Sequence, residues 1–189
     1  MKNILWMAMA TFAIMAVSCN RVDTELIGKM QAEITKAQEL AKNLEAGEKT
    51  SDALLSKMLT APDGLKGNAT LGYPALYERV VAIKTKYQGM AAEATEKGSQ
   101  LQGLMDSYAD GKEKKEDIVR QFESMSATIT SSTEQSKQIA SMVDEASASY
   151  AKMSAEWEAL PEAEKQAATQ KAAKTDAAKI VPRDSDTQH

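Results

Sequence analysis

Residues 118–160 read IVRQFESMSATITSSTEQSKQIASMVDEASASYAKMSAEWEAL, and this stretch decides the fold. Ile118, Phe122, Met125, Ile129, Ser132, Ser136, Ile139, Val143, Ala146, Tyr150, Met153, Trp157 and Leu160 recur at alternating steps of four and three. That alternation marks one face of a helix. It continues far past the ordinary helix length of about 11–12 residues. A stripe this long predicts packing against another helix in a coiled-coil manner.

Working backward, Asp110-Gly111 is a turn signal and Lys112 to Asp117 carries no apolar residue. Before it, Leu76, Val80, Ile83, Tyr87, Met90, Ala94, Lys97, Leu101, Leu104 and Tyr108 keep the same alternation, with Lys97 as the mismatch. So short a connection predicts an antiparallel hairpin of helices 74–109 and 112–160. The expected register pairs Tyr108 with Ile118, Tyr87 with Ile139, Ile83 with Val143 and Leu76 with Tyr150. Its middle is thin, pairing Lys97 with Ile129 and Ala94 with Ser132 near Gly89, Gly98 and Gly103. Each interior glycine costs ~1 kcal/mol relative to alanine. Small residues there imply either close helix approach or a flexible middle.

Further back, Asp23 and Thr24 are N-cap candidates. Ile27, Met30, Ile34, Ala37, Ala41 and Leu44 form a stripe, widened by Leu26 and Leu40, and Gly47 reads as a stop. The expectation is a helix over 23–46. A second, short one over 51–60 follows, capped from Thr50-Ser51-Asp52. Residues 61–73 hold Pro62-Asp63-Gly64, Gly67-Asn68 and Gly72, and read as a loop. Pro74 suits the first turn of the next helix. Pro161 ends the long stripe or starts a new helix; 161–181 is an Ala/Lys-rich weak helix and 182–189 a disordered tail. The fold class is therefore all-α: an elongated helical bundle over 23–160, built on a long antiparallel coiled-coil hairpin.

The first residues are of another kind. Met1-Lys2-Asn3 is a short basic start, and Ile4 to Met15 is an apolar run. It is too short to span a bilayer, which takes about 20 residues, and suits a secretion signal over 1–18. Ala16-Val17-Ser18-Cys19 then resembles the lipobox of bacterial lipoproteins, with Ala16 standing where that family most often has Leu. The resemblance covers residues 1–20 only. It implies cleavage before Cys19, a diacylglycerol thioether on Cys19 and an acylated amine, as by palmitate. Residues 19–22 are then a lipidated N-terminus and short tether. Each buried methylene contributes ~0.8 kcal/mol, so two or three chains anchor durably. Asn20, rather than Asp, favours the outer membrane over the inner by the same resemblance. The expected localisation is the cell envelope, on a lipid anchor. With so short a tether, the base of the hairpin is expected near the bilayer and the charged tip at 111–117 away from it.

Composition narrows the function. Formal charge is −4, and removing residues 1–18 takes away Lys2 and no acid, leaving about −5. A mildly acidic chain without a basic patch argues against nucleic acid as a partner. Cys19 is the one cysteine and His189 the one histidine, so no cofactor, zinc site or catalytic triad is expected, and no enzyme. The acidic clusters at Glu113-Glu116-Asp117 and Glu156-Glu158-Glu162-Glu164 read as solvated helix faces, and the Ser/Thr density over 124–136 as a polar face. Leu65, Leu71 and Tyr73 with Trp157 opposite form an apolar cluster that is either core or a docking patch. The expectation is a membrane-anchored, non-enzymatic scaffold or interaction module. It would take a protein partner, or a second copy through its coiled-coil faces. The alternatives are a periplasmic holdase-like chaperone using the hairpin, or a membrane-active helical protein.

Overall fold

The computed structural model describes residues 22–179. The signal, Cys19 and the expected tail at 182–189 lie outside the described residues. The described chain is all-α, with five helices: α1 Thr24–Leu59, α2 Asp63–Lys66, α3 Tyr73–Ala109, α4 Lys115–Ala159 and α5 Glu162–Lys179. The three long helices pack along one another, and α5 sits against α2.

The first correction concerns α1. The expected helices 23–46 and 51–60 are one unbroken helix of 36 residues. Gly47 does not end it. An added Cβ at Gly47 would lie 2.4 Å from the Tyr87 ring on α3. The glycine is there so that a tyrosine ring can lie on the backbone of α1. Nor do Thr50 and Ser51 start a new helix. Their hydroxyls donate to the carbonyls of Ala46 and Gly47, at 3.1 and 3.0 Å, one turn back. Lys84 on α3 pairs with Asp52 at 2.7 Å, and Gln88 donates to Glu48 at 2.7 Å. Tertiary contact with α3 outweighs the local stop signal.

The buried face of α1 runs Leu26, Met30, Glu33, Ala37, Leu40, Leu44, then Gly47, then Ser51, Leu54 and Met58. These steps are four and three throughout, the spacing of a coiled-coil seam. α3 runs antiparallel to it: Gly47 faces Tyr87, Ala37 faces Gly98, and Asp23 bonds Tyr108. α4 runs parallel to α1, with Lys115 beside Asp23 and Tyr150 beside Lys57. At ~1.5 Å per residue, α1 is about 54 Å long.

The α3–α4 hairpin is antiparallel across the 110–114 turn, where Gly111 has φ +67. The Arg79–Glu145 ion pair, at 2.7 Å, falls between the expected pairs Leu76–Tyr150 and Ile83–Val143. Every position of the quoted α4 stripe is buried or half-buried. In mid-α3 the seam shifts by one residue. Gly98 is buried there, and the Lys97 ammonium reaches Gln100 at 3.0 Å instead. A Cβ at Gly98 would stand 3.5 Å from Ala37, so this glycine marks close approach to α1. Gly89 and Gly103 face open space.

Two boundaries also move. α4 starts at Lys115 rather than 112, because Lys112 to Lys114 complete the turn. Residues 63–66 of the expected 61–73 loop form a helical turn, whose N–H groups at Leu65 and Lys66 donate to Pro62.

Candidate functional site

The end of the bundle nearest Cys19 in sequence is closed by Asp23. Its carboxylate Oδ1 accepts the N–H groups of Glu25 at 2.9 Å and Leu26 at 3.2 Å, capping α1 as expected. Its Oδ2 takes the Lys115 ammonium at 2.8 Å. Its own N–H donates to the phenol of Tyr108 at 3.0 Å. One residue thus ties the start of α1 to the end of α3 and the start of α4. The Lys115 bond, and then the Leu26 N–H, hold the Asp23 carboxyl below its ordinary value. The same bond raises Lys115.

This joint corrects the expected orientation. Residue 23 lies at the 110–114 tip of the hairpin, not at its base. The cause is the continuity of α1: an unbroken helix antiparallel to α3 must start where α3 ends.

The opposite end carries the expected apolar cluster. Leu65, Tyr73 and Trp157 are buried and Leu71 is half-buried. The four side chains belong to the core or pack against it. Tyr73 donates its hydroxyl to the carbonyl of Met58, and its ring meets Tyr150 edge-on, with centroids 6.4 Å apart. Burial, then Tyr150 and Tyr77, push the Tyr73 phenol up to about 12. Tyr150 donates to the Lys57 carbonyl at 3.1 Å. Gly64 is what lets the end close: a Cβ there would fall 2.5 Å from the Trp157 ring and 2.6 Å from the Thr169 hydroxyl of α5. At Gly67 it would fall 2.9 Å from Ala172. The Ala/Lys-rich segment expected to be a weak helix therefore has a seat, made by Gly64 of α2 and Gly67 just after it.

One buried group escaped the sequence reading. Glu33 occupies a seam position of α1, 7% exposed. Its Oε1 takes Lys36 at 2.5 Å, while Oε2 is buried without a hydrogen-bond partner. The four-three count from Leu26 and Met30 falls on Glu33, a signal masked by choosing Ile27 and Ile34 as the stripe.

Among the described residues no group of three or more His, Cys, Asp or Glu could hold a metal ion, and no helix is long and apolar enough to cross a membrane. Comparison with family models, curated proteins and solved structures finds no match for this chain.

Proposed function

We propose that the protein is a lipid-anchored scaffold or protein-interaction module of the cell envelope, held through acyl chains on Cys19 and working without catalysis. The observation that carries the reading is the pairing of Ala16-Val17-Ser18-Cys19, with its apolar leader, to a bundle of three long helices. Helices of 36, 37 and 45 residues packed lengthwise build reach and surface rather than an enclosed cleft. The outer membrane is the favoured site, on the strength of Asn20. The partner is another envelope protein.

Two measurements test it. A labelled fatty acid should enter the wild-type chain and not Cys19→Ala; equal labelling of both would end the lipoprotein reading. A photo-crosslinker placed at Thr70, exposed at the end away from residue 23, should give a discrete protein adduct in cells. Its persistent absence from every exposed position tried would count against an interaction module.

A further inference from the structure

We infer that the 110–114 turn is the face of the bundle that meets a phospholipid bilayer, and that the α2–α5 end points away from it. The inference rests on lipidation of Cys19. Its second support is the Asp23 joint.

Asp23 is fixed to Tyr108 and Lys115 by two bonds of 3.0 and 2.8 Å. Four Cα steps separate it from Cys19, and extended chain covers at most about 3.6 Å per step, so the tether reaches roughly 14 Å. That is short against the ~54 Å length of α1. The acyl chains therefore hold the turn close to the headgroups.

The tether alone leaves the tilt open, and the surface decides it. A bundle lying flat would need an apolar face to bury in the interface. Among the described residues the exposed large apolar side chains are Leu59 and Val81. Leu59 ends α1 at the far end, and Val81 lies in the third turn of α3, on the same half of the bundle. Between that half and the turn, no large apolar side chain among the described residues is exposed. The turn itself presents Asp110, Lys112, Glu113 and Lys114, and α4 opens beside it with Lys115, Glu116 and Asp117, exposed charges of both signs. Such a face suits hydrated headgroups and does not sink into hydrocarbon. The bundle stands on its turn.

The test uses the full lipidated chain in vesicles of phosphatidylethanolamine and phosphatidylglycerol with a headgroup spin-labelled lipid as quencher. Acylation blocks Cys19, so a fluorophore goes only to Lys114→Cys or Thr70→Cys, both exposed positions. Glu113→Cys replaces the first if it fails to fold. Mass spectrometry first reads the acyl mass on Cys19. If that mass is missing, the anchor reading fails and the orientation falls with it. With the mass present, the probe at 114 should be quenched severalfold more than the probe at 70. Equal quenching means a flat bundle, and stronger quenching at 70 an inverted one; either overturns the proposal while leaving the anchor intact.

Discussion

The two ends of the bundle are closed by opposite means. At one, half-buried Asp23, exposed Lys115 and the buried Tyr108 join three helices through polar bonds. At the other, Trp157, Tyr73 and Leu65 pack into a core whose fit depends on Gly64 having no side chain. Polar closure is directional and responds to pH and salt. Aromatic closure is worth more and responds to volume. The difference teaches that one end sets how the helices are aligned and the other sets how firmly they are held.

The largest effect expected is at the packed end. Trp157→Ala should lower unfolding free energy by ~3–5 kcal/mol in a urea melt, the range for emptying a large aromatic site. Amide exchange in α5 should accelerate with it, since α5 covers Gly64 beside that ring. A loss under 1 kcal/mol would mean the two ends are not so different. Next, Gly64→Ala should cost about 1–3 kcal/mol by overpacking against Trp157 and Thr169. Free tolerance of that methyl would show that α5 is not seated there.

At the polar end Tyr108→Phe removes the acceptor of the Asp23 N–H while keeping the ring. The expected cost is about 1 kcal/mol. A cost equal to that of Trp157→Ala would erase the contrast.

The smallest effects are in pH, and they separate the ends by sign. Asp23 is held below its ordinary 3.8. The stability it contributes is complete above that value and lost as pH falls through its lower folded value. Tyr73 is raised from 10.0 to about 12. Its contribution is complete below pH 10 and lost as pH rises toward about 12. In melts across pH, Asp23→Asn should flatten the acid limb, and because the same bond raises Lys115 it also touches the alkaline side. Tyr73→Phe should flatten the alkaline limb and leave the acid limb unchanged. A changed acid limb in Tyr73→Phe would contradict the assignment.

How much of this was legible beforehand varies by element. The α4 stripe and the turn at Asp110-Gly111 carry their own evidence, because period and connection length are local properties. Asp23 was legible as a cap for the same reason. Its bond to Tyr108 was not, being a contact across 85 residues. Gly47 misled because a glycine can end a helix or admit a neighbouring ring, and only the position of Tyr87 decides which. Once α1 was split there, residue 23 fell at the base of the hairpin instead of at its tip. Lys97 and Gly98 show a milder case. The strict alternation fell on the lysine, whereas a helix of 3.6 residues per turn brings the glycine to Ala37. Of the candidate cluster, Leu65, Leu71, Tyr73 and Trp157 were legible as a group, with core and docking patch both open; the packing of Gly64 under Trp157 and α5 decides for core.

The continuity of α1 has a mechanical consequence. Under the proposed anchoring, with a partner at the far end, the bundle would be loaded along its axis. Tension entering at residue 23 passes to Met58 through one unbroken helical backbone. A coil at Gly47 would have placed a compliant link in series with that load. With Tyr87 resting on Gly47 instead, α1 is sheared against α3 along its full length, and the seam shares the load among many contacts at once.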